Sequence, residues 1–277
     1  MPIEESFMQE PDLRDILSQL RLSDQHRTRF TPAWTQGRAA FGGLAAALAS
    51  QGMAKILPQP QTIRSLMVSF IAPLPPDEVT VVPQIVRQGR NVTQTGAAVL
   101  AGDTVCLQAM GVFGNSRPGL QVKPDPGFAP ESRHPAASIH GSRRGLPPFL
   151  DYFEGFWTGG GVPFSGRGDH RLGIWVRHRS DMSEFPVEKI LSVADIPPPI
   201  ILSHFNAPPV AASSLTWSLE FVAPPESIDS EWFYLDYQVD HAADGYTQQS
   251  GKVFTEDGRL CALSRQCMVY FDQPRSN

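Results

Sequence analysis

Apolar and polar positions along the chain change period several times, and each change marks an element. Residues 11–22 place Leu13, Ile16, Leu17 and Leu20 on one helical face behind Pro11, which predicts an amphipathic helix. Residues 27–36 read as a strand carrying Phe30 and Trp34. After Gly42-Gly43 an Ala-rich helix is expected over 44–57, stopped by Pro58-Gln59-Pro60. Its small side chains would let it lie close against a sheet. Strand-like segments follow at 63–71, 79–87 and 92–100, and Ala101-Gly102-Asp103 turns the chain into another at 104–113.

Periodicity then lapses. Residues 114–148 contain seven prolines and read as a connection between two halves. Beyond it, strands are expected at 149–157 and 172–178 around a Gly-rich loop. A helix over 187–195 leads into Pro197-Pro198-Pro199. Four more strands are expected at 215–222, 233–239, 246–254 and 260–271, the last two joined by a turn at Glu256-Asp257-Gly258.

The second half repeats the first. Phe70-Ile71-Ala72-Pro73 matches Phe221-Val222-Ala223-Pro224 at an offset of 151, and Val92-Thr93-Gln94 matches Tyr246-Thr247-Gln248 at 154. The turn residues Gly102 and Gly258 match at 156. Three matches in the same order at nearly one spacing indicate a duplication, with units at 12–113 and 149–272 around the connection at 114–148. A helix followed by an antiparallel meander buries its apolar stripe by lying across the sheet. The expected architecture is therefore α+β: two helix-on-sheet units side by side, sharing one continuous antiparallel sheet.

Composition narrows the function. The 277 residues are 41% hydrophobic and 18% charged, enough for a sizeable core and too apolar for a disordered chain. The net charge is −5 and the basic residues are scattered, which argues against a nucleic-acid partner. The longest apolar stretch, 39–49, falls short of the roughly 20 residues of a membrane span, so no membrane partner is expected. The acidic start of the chain resembles neither a secretory signal nor a transit peptide. Cys106, Cys261 and Cys267 show no paired spacing, which suggests free thiols in a reducing cytoplasm rather than disulfides or a zinc site. His170, His178, His204 and His241 have no metal spacing, and no metal or other cofactor is expected. The Gly-rich stretch 159–168 lacks the G-K-[ST] of a phosphate loop, and no G-x-S-x-G marks a serine hydrolase. Arg87, Arg90 and Lys123 are scattered cations of the kind usually found on solvated surface.

The residues resemble the TesB-like acyl-CoA thioesterases, proteins of double hotdog fold. The likeness runs from about residue 27 to 271. It is carried by Phe41-Gly42-Gly43, Ser69-Phe70-Ile71-Ala72-Pro73, Gln88-Gly89-Arg90-Asn91, Val193-Ala194-Asp195, Ser214-Leu215 and Ala262-Leu263-Ser264-Arg265-Gln266. The resemblance implies hydrolysis of acyl-CoA to free acid and CoA, by a water held between an Asp, a hydroxyl and a Gln. The matching positions are Asp195, Ser214 and Gln266; Ser213 is the adjacent hydroxyl, and the family's hydroxyl is often Thr. Such a protein already contains the pairing that single hotdogs obtain by dimerising, so a homo-oligomer is optional.

The residue types suit that chemistry. A carboxylate can take a proton from water, and Ser and Gln carry both donors and acceptors to aim it. Gln266 shares a strand face with Leu260, Ala262, Met268 and Tyr270, while Arg265 and Cys267 point away. Its counterpart in the first half is Met110 if the turn glycines set the register, or Gln108 if the closing aromatics do. Gly42-Gly43 at a helix start could present backbone N–H groups to a ligand oxygen, the geometry of an oxyanion hole, or could serve close packing. Asp169, Asp240 and Asp244 are the other carboxylates to consider. Two competing readings are a hotdog enoyl-thioester hydratase or dehydratase, and an acyl-CoA-binding protein without catalysis. The first is disfavoured because Asp195 is followed by prolines and no His before His204. The second is disfavoured by the joint presence of Asp195, a hydroxyl and Gln266.

Overall fold

The computed structural model describes residues 10–124, 127–134, 136–139 and 146–272. Parts of the expected connection and the first nine residues of the acidic start lie outside them.

Helix α1 (Leu13–Leu22) opens on a reciprocal cap. The Asp12 side chain accepts from the Asp15 N–H, and the Asp15 side chain accepts from the Asp12 N–H. Its buried face is Leu13, Ile16, Leu17 and Leu20, as the 3.6 period requires. The expected strand at 27–36 is broken. Strand β1 (Arg27–Arg29) gives way to a 3-10 turn at Pro32–Trp34, because Pro32 cannot donate to a ladder. Two short strands, β2 (Thr35–Gln36) and β3 (Ala39–Ala40), form a small hairpin. Helix α2 (Gly42–Lys55) is buried on nearly every side, which its run of Ala and Gly permits.

The first meander is β4 (Ile63–Phe70), β5 (Glu78–Gln88), β6 (Val92–Ala101) and β7 (Thr104–Gly114). Within the connection lies a short strand, β8 (Ala137–Ser138). The expected strand at 149–157 begins instead as a 3-10 turn at Pro148–Tyr152, leaving β9 (Phe153–Gly159) and β10 (Arg171–His178). Helix α3 (Pro186–Ala194) precedes the second meander: β11 (Ala211–Phe221), β12 (Phe233–Ala243), β13 (Tyr246–Thr255) and β14 (Leu260–Phe271).

All strands but β2 and β3 form one antiparallel sheet of 12, in the order β1-β5-β6-β7-β4-β11-β14-β13-β12-β10-β9-β8. The halves join at β4 and β11, where Val68 pairs with Trp217. Helices α2 and α3 pack against one another on the core side of this sheet.

The duplication is written into the backbone. Ile71 and Ala72 both donate to the Cys106 carbonyl, at 2.8 and 3.1 Å; Val222 and Ala223 both donate to the Cys261 carbonyl, at 2.8 and 3.2 Å. Both inner strands carry an irregularity at the same place, between Ile63 and Ser65 and between Ser214 and Thr216.

Outside the second half, the connection does more than tether. Phe128 packs on Phe254 and Tyr234, and Arg133 lies 5.1 Å from the Trp175 ring and 4.5 Å from that of Trp232. Leu260 belongs to this outer cluster, not to the face of Gln266 as strict alternation predicts. The β13–β14 register shifts between Val253 and Phe254, and that shift turns Leu260 outward.

Candidate active site

Helix α3 runs out at Ala194, and Asp195 is its C-cap. A carboxylate there meets the negative end of its own helix, an unfavourable placement by itself. Tertiary structure reverses the field, because the N-terminus of α2 faces the same point. The Gly43 backbone N–H favours the ionised form of the Asp195 carboxylate. A Cβ on Gly42 would stand 2.6 Å from Asp195 Oδ2. A Cβ on Gly43 would stand 2.6 Å from the Phe41 ring and 3.0 Å from Ser192 Cα. Gly42 therefore makes room for the carboxylate, and Gly43 lets α2 and α3 touch.

Strand β14 brings Gln266 to the same place. Its Nε2 donates to Asp195 Oδ1 at 2.7 Å. Gln266 is 3% exposed, so its amide must find partners within the protein. The other end of that amide is satisfied by Gln249 on β13, whose Nε2 donates to Gln266 Oε1 at 3.0 Å. Gln249 Oε1 in turn accepts from the Ile200 N–H at 3.2 Å. Burial pushes the Asp195 carboxyl up to about 7, against the opposing pull of the Gln266 hydrogen bond and the Gly43 N–H. Asp195 nevertheless keeps part of its surface open.

Ser214 pairs with Met268 across β11 and β14, whereas Gln266 pairs with Trp217. The irregularity at Leu215 therefore puts Ser214 on the Gln266 face and sends Ser213 to the other side. No hydrogen bond joins the Ser214 hydroxyl to Asp195 or Gln266; it lies on the same sheet face as Gln266, opposite Met268. Asp169 is elsewhere, accepting from the Gly161 N–H at 2.9 Å. Asp240 accepts from the Ser250 hydroxyl at 2.9 Å, and Asp244 sits in the β12–β13 turn.

Three contributors were missed in the sequence. Gln249 shares the inward face of β13 with Thr247 and Val253, so a polar residue alternating with buried positions was the available signal. Tyr237 donates to the Ala194 carbonyl at 2.6 Å and holds the end of α3. Trp217 fills the place beside Gln266 and donates to the Ser264 hydroxyl at 2.9 Å; nothing in its local sequence marks either role.

An open groove of about 450 Å³, lined by Met67, Met110, Thr216, Gln248 and Arg265, lies on the outer face of the sheet. Gln266 and Trp217 also line this groove, whereas Asp195 does not. Among the described residues no cluster of His, Cys, Asp or Glu could hold a metal ion, and no helix is long and apolar enough to cross a membrane.

Comparison with known proteins gives the class. An acyl-CoA thioesterase N-terminal domain model matches residues 30–114, and an acyl-CoA thioesterase C-terminal domain model matches residues 124–270. The chain belongs to the acyl-CoA thioesterase family: it is a double hotdog enzyme that hydrolyses thioesters. No curated protein matches it in sequence. Among solved structures, a hot dog fold protein from Alicyclobacillus acidocaldarius is similar with a TM-score of 0.78 and 19% identity, over 90% of this chain and 93% of that one. A TesB protein from Mycobacterium avium subspecies paratuberculosis has a TM-score of 0.70 at 19% identity, covering 95% and 100%. An acyl-CoA thioesterase II from Mycobacterium marinum has a TM-score of 0.70 at 15% identity, covering 94% and 98%.

Proposed function

We propose that the protein hydrolyses acyl-CoA to the free acid and CoA with a water activated by Asp195. The observation that carries this reading is the 2.7 Å hydrogen bond from Gln266 Nε2 to Asp195 Oδ1, made where the N-terminus of α2 faces the carboxylate. A group titrating near 7 is ionised in a useful fraction at neutral pH and still basic enough to take a proton. Water attacks the thioester carbonyl carbon and passes a proton to Asp195. The tetrahedral intermediate collapses, the carbon–sulfur bond breaks, and the thiolate of CoA leaves with that proton. Gln266 holds the carboxylate in place; Ser214, on the same sheet face, helps aim the water. Among the described residues no histidine contacts Asp195, whereas the hydratase reading needs one beside it.

The test is release of free thiol from a saturated acyl-CoA by the wild type and by Asp195→Asn. Turnover by the wild type and its loss in the variant support the reading. Equal turnover by both would overturn the role of Asp195, and action confined to enoyl thioesters would favour the hydratase.

A further inference from the structure

We propose that Gln249 is a positioning residue for the site: through Gln266 it determines which end of an amide faces Asp195. The inference deepens the hydrolytic reading above and rests on it for its kinetic consequence, but its structural core can be measured without turnover.

An amide side chain can be turned end for end at little steric cost, and its two ends have opposite hydrogen-bonding character. What faces Asp195 therefore depends on what holds the far end of Gln266. That far end touches Gln249, and Gln249 touches the Ile200 backbone N–H. A backbone N–H only donates. Gln249 must give it the oxygen, which leaves the Gln249 NH2 for Gln266. Gln266 must then give its own oxygen to Gln249, which leaves its NH2 for the carboxylate. A polarity that begins at one main-chain atom is passed through two side chains to Asp195. Both glutamines are sealed from water, at 1% and 3% exposed, so solvent does not satisfy the opposite arrangement.

The sequence around Ile200 supports the anchor. Pro197, Pro198 and Pro199 have no N–H, so Ile200 is the first residue after them that can donate. It opens the 3-10 helix Ile200–His204, where a backbone N–H has no partner within the helix. Gln249 supplies that partner.

The consequence concerns the proton. An NH2 facing the carboxylate favours its ionised form, whereas a carbonyl oxygen there would favour the protonated form. Few other groups could produce such a shift. From β12 the Tyr237 phenol faces the end of α3 and is electrostatically coupled to Asp195. The α2 terminus contributes Gly42 and Gly43, and β4 contributes the Phe70 ring. On α3, Glu188 is bonded to Ser50 and Lys189 to the Ile228 and Ser230 carbonyls. On β14, Arg265 and Cys267 lie on the opposite face from Gln266.

The experiment follows the Asp195 carboxyl by ¹³C NMR in the free protein and, in parallel, the pH profile of kcat/KM on a saturated acyl-CoA. Two variants break the chain at different links. Gln249→Met keeps the length and removes both polar ends. Ile200→Pro removes the anchoring N–H together with part of a buried side chain, so it is read only where the variant folds; proline is tolerated at a helix start, and Pro199 before it is already extended at ψ 118°. In both, the Asp195 titration should move to higher pH, by about one unit in Gln249→Met. The acid limb of kcat/KM should move with it, so that raising the pH restores most of the lost rate. In a Gln266→Leu background, Gln249→Met should move the titration no further. An unmoved titration in either folded variant, or a further shift in the Gln266→Leu background, would overturn the proposal. So would a kcat lowered equally at every pH, the signature of a merely structural role. If the titration moves but the wild type releases no thiol from acyl-CoA, the positioning role stands and the hydrolytic reading alone fails.

Discussion

Gly111 stands in the first half where Gln266 stands in the second. Leu66 pairs with Gly111 as Trp217 pairs with Gln266, and Thr95 pairs with Gly111 as Gln249 pairs with Gln266. Neither Met110 nor Gln108, the two sequence-based counterparts, occupies that place. The Thr95 hydroxyl turns back to the Gly111 carbonyl at 3.2 Å, and the Met53 thioether lies 3.1 Å from where a Gly111 side chain would begin. A thioether and a glycine neither hold nor aim a water. One site per chain is expected, and a tight-binding inhibitor should titrate the activity at one equivalent. Gln108→Ala, on the exposed face of β7, should leave turnover unchanged.

Asp195→Asn keeps the shape of the site and removes its base. General-base catalysis contributes about 10²–10⁴-fold, so kcat should fall by that order while acyl-CoA still binds. The wild type should lose activity as pH falls below about 7, where Asp195 takes up its proton. That limb should be missing from the residual activity of the variant. Steady-state kinetics from pH 5 to 9 check both.

Gln266→Ala and Ser214→Ala should each lower kcat less than Asp195→Asn, since neither takes the proton. Paired with Asp195→Asn, each should add little, because both act through the water that Asp195 activates, Gln266 by holding the carboxylate. Full additivity in a double-mutant cycle would place them on separate steps.

The two glycines should separate in a stability measurement. Gly42→Ala sets a methyl 2.6 Å from Asp195 Oδ2 and should cost activity more than stability. Gly43→Val drives into the Phe41 ring and the α3 backbone, and such overpacking costs about 1–3 kcal/mol. Urea unfolding and thiol release, measured on both variants, give the comparison.

Glu188 makes stability depend on pH. It is buried between α2 and α3 and accepts from the Ser50 hydroxyl at 2.9 Å, and burial pushes its carboxyl up to about 7 from 4.5. A folded-state pKa raised above the unfolded one means the folded protein holds the proton more tightly. The stability this contributes is full below about 4.5 and is lost as pH rises towards 7. Asp195, raised in the same direction, adds to the trend. Glu188→Gln should therefore stabilise the protein at pH 8, by up to about 3 kcal/mol, and change little at pH 4.5. Urea midpoints at the two pH values test the sign.

The duplication, the two meanders and the helices were legible in the sequence because each is a local matter. Alternation places one strand face, a 3.6-residue period places one helix face, and an offset can be counted along the chain. The breaks at Pro32 and Pro148 lie in short segments where apolar side chains outweighed the missing ladder donor. The inward side chain of Gln266 was equally visible, as one amide among buried positions. What joins it to Asp195 was not. The two are 71 residues apart and meet because α3 packs across β14, a contact within the second half that no local pattern records. Register also escaped the sequence, because a single extra residue in a strand reverses every side chain beyond it. That is why Ser214 and not Ser213 faces inward, why Leu260 faces outward, and why Gly111 answers to Gln266. The ionisation of Asp195 belongs to tertiary structure as well, since burial, the Gly43 N–H and the Gln249–Gln266 chain come from separate elements brought together only by the fold.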